Sequence, residues 1–247
     1  IKKAISEGRF FKTVQKKIYP YIKGFFLFFS LDKKKIKIYT TKLNQIDRND
    51  LVLAERIFKS FKLIKNQQES KSSLYKPSSL WQSLIDKDFN FLVDSFKKND
   101  VEKFLYFLQN FGNWDKYLGI ENQTLVKKYS KNIFLRNFLR EEIFGGQLKL
   151  WKFFNHKKDL KFLNMPKHGN QIGATIDGNF VVIGSFSNQF YAEILSKYLS
   201  RNKKNIMMDI GGGYGKLGYY MMKNNQNLTF IDFDIPETLV LASFYLS

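Results

Sequence analysis

Between Asp209 and Gly218 the chain reads Asp-Ile-Gly-Gly-Gly-Tyr-Gly-Lys-Leu-Gly, with Gly211, Gly212, Gly213, Gly215 and Gly218 crowded into one turn. Glycine at that density serves where the main chain must take left-handed angles or let a ligand approach closely. Nineteen residues after Gly215 stands Asp234, at the end of the apolar run Leu228-Thr-Phe-Ile-Asp-Phe. A carboxylate so placed can accept hydrogen bonds from ribose hydroxyls, so the two features together read as a nucleotide-type cofactor site.

The register of the glycines separates the cofactor classes. A P-loop would need glycine at Ile210 and Ser or Thr at Leu217, and has neither. A dinucleotide fingerprint can be laid on Gly213, Gly215 and Gly218, with Asp234 at about the required distance. That register starts two residues late relative to the preceding strand and leaves Asp209 beside a pyrophosphate. The alternative register, Asp209, Gly211, Gly213 and Gly215, makes the acid useful. A cofactor that carries a sulfonium and an ammonium but no phosphate is favoured by a carboxylate there.

The elements around the turn form a β-α-β-α unit. Asn205–Ile210 reads as a buried parallel strand, Tyr214–Asn224 as a helix and Leu228–Phe233 as a second strand. Pro236 opens a second helix that runs toward Leu246. Upstream, residues 1–75 read as basic and helical, with Leu51, Ala54, Ile57, Phe58, Phe61 and Ile64 at helical spacing. The serine-rich stretch 67–79, with Pro77, reads as a linker. A helix is expected from Leu80 to about Leu108, capped by Ser78 or Ser79, with Trp81, Leu84, Ile85, Phe89, Leu92 and Phe96 as its core stripe.

Periodicity breaks over 111–119, and a further helix is expected over Gln123–Phe144, ended by Gly145-Gly146. Its residues Asn132, Arg136, Asn137, Arg140 and Glu141 read either as a solvated face or as a substrate-facing cluster. Asp177-Gly178 between the β-branched runs of 172–183 predicts a two-stranded hairpin. Phe190–Leu199 then reads as a helix leading through 200–204 into the glycine-rich unit. Three regions result: 1–75, helical and basic; 76–185, helical and ending in the hairpin; and 186–247, which carries the glycine turn.

Composition narrows the chemistry. The 247 residues include 41 Lys and Arg against 22 Asp and Glu, a formal charge of +19. Such a charge could serve nucleic acid or an anionic membrane. The lysines are nevertheless spread along the chain together with abundant Asn, Ile, Phe and Tyr, a pattern that a coding bias also produces. No cysteine is present, which excludes disulfides and thiolate metal sites and is compatible with a cytoplasmic setting. The histidines are His156 and His168, with no HExxH pair, so zinc chemistry and bound metal are not expected. Both read as turn or surface residues rather than as a general base.

The longest apolar cluster, Ile18–Leu31, is interrupted by Lys23 and is shorter than the roughly 20 residues needed to span a bilayer. It reads as a core helix, with peripheral contact at a membrane interface as the alternative. The chain opens on Ile1 and closes after a helix-like segment, and reads as a fragment at both ends.

The segment Asp209–Gly218 resembles motif I of class I S-adenosylmethionine-dependent methyltransferases. Extended through Phe230-Ile-Asp-Phe-Asp-Ile-Pro-Glu-Thr-Leu239 and Tyr245-Leu246, the pattern is similar to sugar O-methyltransferases of bacterial surface-polysaccharide clusters. The likeness is specific over about 205–246, looser over 130–200 and absent over 1–75. It implies an α/β fold, with a mostly helical N-terminal region followed by the first β-α-β-α units of a Rossmann-like methyltransferase domain.

The resemblance also implies S-adenosyl-L-methionine as cofactor and a sugar or glycan hydroxyl as acceptor. On it, Gly211, Gly212, Gly213 and Gly215 line the methionine and ribose part of the cofactor, Asp209 lies nearby, and Asp234 holds the ribose hydroxyls. Asp232 is the weaker candidate and reads as a loop or surface acid. The family's adenine-side acid and acceptor-side residues would follow Ser247, so this chain is expected to bind cofactor poorly and to be inactive alone. An oxidoreductase using the Gly213 register and a basic RNA-binding methyltransferase are the alternative readings.

Overall fold

The structure is a computed structural model that describes residues 9–28, 36–71, 76–114, 121–155, 158–200 and 203–247. The chain is α/β, predominantly helical, with two small sheets. Before the first sheet closes come helices α1 (Arg9–Phe28), α2 (Leu51–Ser70), α3 (Ser79–Asp88), α4 (Asn90–Lys97), α5 (Val101–Leu108), α6 (Glu121–Tyr129) and α7 (Ile133–Phe138). A π-turn over Leu139–Gly145 carries α7 directly into α8 (Gly146–Phe154).

The predicted helix over 80–108 is divided into three. Ser78 caps α3 by accepting from the Trp81 amide, and Asp100 caps α5 by accepting from Lys103 N–H. Between α4 and α5 Asn99 takes φ 53°, which ends the helical path. Trp81 is exposed rather than in the core, where Ile85, Phe89 and Leu92 lie buried. Gly145-Gly146 does not end the following helix. Gly145 is buried, its would-be β-carbon 3.2 Å from Arg140 O and in ordinary contact with the Ile36 side chain, and the widened turn keeps the chain helical.

The predicted hairpin is present as β2 (Gly173–Ile176) and β3 (Asn179–Val181), with Asp177 at φ 47° and Gly178 at φ 83° supplying the positive-φ turn. A third strand, β1 (Ile36–Tyr39), joins from the stretch expected to be helical and pairs antiparallel with β2, Ile36 opposite Ile176 and Tyr39 opposite Gly173. This sheet divides two cores through the alternation of β3. Val181 packs with Leu139, Phe144, Leu148 and Trp151, whereas Phe180 and Val182 belong to the cluster of α2–α5. Beyond β1, residues 41–47 are pinned by buried amides. Asn110 accepts from the Asn44 amide and donates back to its carbonyl, Gln109 does the same with Asp47, and Asn113 donates to Thr41 O.

After α9 (Ser185–Ser196) the chain forms β4 (Asn205–Ile210), α10 (Lys216–Asn224), β5 (Leu228–Phe233) and α11 (Pro236–Tyr245). β4 and β5 pair in parallel, with Asp209 opposite Asp232. Met207, Leu228 and Phe230 pack toward the core, but β4 is not buried on both faces as its apolar run predicts. Ile206, Met208 and Ile210 are exposed on the opposite face, Ile210 at 89%.

Helix α11 packs against α2, sharing Ala54, Ile57, Phe58, Phe61, Val240, Leu241 and Phe244 in one cluster. The same cluster takes in Tyr214, Tyr220 and Met221, so helices on both sides of the serine-rich stretch share one core with the glycine-rich unit. Lys65 meets Glu237 at 3.0 Å across this contact, and the Glu237 side chain is fully buried.

Helix α1 lies on the surface. Among its described side chains Pro20 and Gly24 are buried, Leu27 is half-buried, and Ile18, Tyr19, Tyr21, Ile22, Phe25 and Phe26 are exposed rather than in the core.

Candidate functional site

The turn that follows β4 is shaped by Gly211 (φ 82°), Gly213 (φ 65°) and Gly215 (φ 89°). All three sit in the left-handed region, where a side chain would be strained. Two hydrogen bonds hold the turn against the end of β5. Gly211 donates its amide to Phe233 O at 2.7 Å, and Gly213 donates to Asp234 Oδ2 at 2.9 Å. The second oxygen of Asp234 accepts from Ile235 N–H at 2.7 Å, which leads the chain into α11.

The glycines differ in what they face. A β-carbon at Gly211 or Gly213 would meet no atom within 4 Å, so their main chain borders open space. Gly215 is buried under Leu246, 2.8 Å from where its β-carbon would stand, and so seats α11 against the turn. Gly218 presses α10 onto the Phe230 ring. Gly212 covers the carboxylates of Asp232 and Asp209, at 2.5 and 3.0 Å from its would-be β-carbon.

The pairing of β4 with β5 therefore gathers Asp209, Asp232 and Asp234 at one end of the sheet. Asp232 is not a surface acid. Both of its oxygens are shielded beneath the turn without a well-formed hydrogen bond. Burial, followed by the charges of Asp234 and Asp209, pushes its carboxyl up to about 6, and the nearby Gly212 amide only partly offsets this. Burial and then the Asp234 charge also raise Asp209, against a hydrogen bond from the Ile210 backbone. The strand register makes this third acid visible in retrospect, since residues aligned across parallel strands bring Asp209 and Asp232 together.

The turn is bolted to the first sheet region through Tyr214. Its buried ring stacks edge-on with Phe111 and Tyr245, and its hydroxyl donates to Gln171 Oε1 at 2.8 Å. Gln171 in turn donates to His168 O at 3.2 Å. Lys216 reaches Ile183 O at 3.4 Å, and so also ties the turn to the hairpin exit.

Next to this junction is a cavity of about 550 Å³ with a mixed wall, including Asn44, Asp47, Asp50, Arg56, His168 and Asn170, and with Leu53 and Phe244 as apolar surface. Ser247, which follows the Leu246 that covers Gly215, also lines it. His168 is thus exposed at a cavity mouth near the turn, while His156 lies outside the described residues. A separate, more apolar cavity of about 300 Å³ between α8 and α9 is lined by Trp151, Phe154, Phe186 and Phe190, away from the acids.

The residues expected to cluster on the 123–144 helix are engaged in different ways. Asn132 caps α7 by accepting from Phe134 and Leu135 N–H, and Arg136 donates twice to Ser130 O. Asn137 is buried, and Arg140 pairs with Glu141 at 2.6 Å. They form neither one solvated face nor one shared pocket. No group of His, Cys, Asp and Glu among the described residues has the arrangement of a metal site. Comparison with family models, curated proteins and solved structures finds no match for this chain.

Proposed function

We propose that the chain binds S-adenosyl-L-methionine at the Asp209–Gly215 turn and belongs to an enzyme that methylates a sugar hydroxyl. The observation that carries this reading is the sign of the site: three carboxylates converge where the main chain of Gly211 and Gly213 borders open space. A pyrophosphate brought there would meet carboxylates at short range, which disfavours the dinucleotide register. A sulfonium with an ammonium group would be attracted by the same field.

The residues present fit that cofactor. Asp234 keeps lone pairs for ribose hydroxyls beyond those used by the Gly213 and Ile235 amides. Asp209 provides negative charge beside the amino-acid part, and the glycine backbone permits close approach. The cofactor supplies an electrophilic methyl group. The protein's part is to hold the acceptor oxygen in line with it and to exclude water. The cavity beside the turn, with carboxylates, amides and the Phe244 face, has the lining that a polyhydroxylated acceptor requires. The Rossmann-like arrangement of a class I methyltransferase is the architecture that this reading extends from the parallel β4–β5 pair.

Thermal unfolding of the protein at its full natural length tests the reading. At a hundredfold excess over Kd, S-adenosyl-L-methionine should add about 2.7 kcal/mol. For a chain of this size that is a rise of roughly 5 to 10 °C. Asp234→Ala should remove the rise, whereas Asp234→Asn, which keeps an acceptor oxygen, should retain part of it. A rise with NAD but none with S-adenosyl-L-methionine would refute the proposal.

A further inference from the structure

Helix α1 carries Arg9, Lys12, Lys16, Lys17 and Lys23 and no acidic residue. Over its second half Pro20 and Gly24 are buried, and the main chain at Gly24 lies so close to Phe134 that a β-carbon would overlap its carbonyl. That approach fixes which side of the helix meets α7. The rest of the circumference presents Ile18, Tyr19, Tyr21, Ile22, Phe25 and Phe26, each between 46% and 67% exposed, with the Tyr19 and Phe25 rings also touching Phe138 and Phe134 of α7. At 3.6 residues per turn these six occupy about 160° of the circumference. Lys23 stands at the margin and pairs with Glu142 at 3.6 Å.

An apolar, aromatic stripe of this width, on a helix whose ionic groups are all cationic, has the chemistry of a segment lying in a membrane interface. Its cationic residues do not suit it to cross one, and no described helix is long and apolar enough to do so. Charge decides between possible occupants of the face. A second copy of a chain with a formal charge of +19 would bring a like-charged surface, whereas an anionic bilayer brings an opposite one. We propose that α1 docks the protein in the plane of an anionic lipid surface, with Ile22 and Phe26 entering the acyl boundary and the positive charge of the chain drawing it to the headgroups. The inference stands apart from the methyltransferase reading.

Vesicle flotation of the full chain tests it, with phosphatidylcholine alone or mixed with phosphatidylglycerol. Binding is expected to the mixed vesicles, to weaken as salt is raised, and to fall by more than about tenfold in Ile22→Ser/Phe26→Ser. The variant's circular dichroism should be unchanged. Leu150→Ser/Phe153→Ser, which alters an exposed apolar patch on α8, should bind as the parent does. Independently of the serine variant, Phe26→Trp should give a blue shift in tryptophan emission with mixed vesicles that the parent does not show. Equal binding to both vesicle types, binding that survives the α1 substitutions, loss confined to the α8 variant, or unchanged emission of the Phe26→Trp protein would each overturn the proposal. So would a dimer that Ile22→Ser/Phe26→Ser dissociates while no vesicle binding is seen.

Discussion

Replacing Asp232 by asparagine should stabilise the protein at neutral pH, although it alters a residue of the candidate site. The Asp232 carboxyl is displaced from its ordinary 3.8 to about 6, first by burial and then by Asp234 and Asp209. At 1.36 kcal/mol per tenfold change in proton affinity, this corresponds to about 3 kcal/mol of disfavoured ionisation in the folded state. Solvent reaches part of the residue, and screening reduces the expected effect to about 1 to 2 kcal/mol.

The sign follows from linkage. Below about pH 3.8 the group is protonated in both states and costs nothing. As pH rises through about 6 the folded state must carry the charge, and stability is lost. Asparagine resembles the protonated form at every pH. Melting curves of parent and Asp232→Asn at pH 4, 5, 6 and 7.5 should therefore nearly coincide at the acid end and separate by roughly 2 to 8 °C at pH 7.5. Taking the difference between the proteins removes the titration of their other carboxylates. An asparagine variant no more stable than the parent at pH 7.5, or equally stabilised at pH 4, would refute the idea that Asp232 is an ionised, poorly solvated acid beneath the turn.

Two further substitutions probe how the turn is supported. Lys65→Ala should destabilise by about 1 to 3 kcal/mol in urea titration, because it removes the cation that meets the buried Glu237 carboxylate at 3.0 Å. Lys65→Met combined with Glu237→Gln should recover most of that loss, and a single variant with parent-like stability would contradict the assignment. Gly212→Ala should cost about 1 to 3 kcal/mol by forcing a methyl against Asp232 and Asp209. Asp232→Ala in the same chain should relieve most of the strain, and purely additive losses in a double-mutant cycle would show that the two residues do not clash.

Much of the local structure was legible because its causes are local. The hairpin at Asp177-Gly178 needs only two residues that tolerate positive φ, and the Ser78 cap needs one hydroxyl before a helix. β1 was not legible, since Ile36–Tyr39 becomes a strand only through pairing with residues far along the chain. The continuous helix past Gly145-Gly146 is likewise not legible, as a glycine pair commonly ends a helix but here the π-turn over Leu139–Gly145 carries the chain on into α8. The 123–144 polar residues look like a cluster because periodicity aligns them, but Asn132 and Arg136 bond the backbone and Arg140 pairs with its neighbour Glu141.

For the candidate site, the amino-acid order alone determined the glycine turn, its strand-helix setting and the acid that follows. Each rests on conformational preference over a few residues. Only the tertiary structure decided that Asp209 and Asp232 stand opposite each other, that Gly215 is covered by Leu246 while Gly211 and Gly213 face open space, and that Asp232 lies beneath the turn. It also decided that the apolar half of α1 faces outward, since that orientation depends on how closely Gly24 can approach α7. Burial and proximity depend on packing between distant segments, and it is they that turn three ordinary aspartates into a site of defined sign.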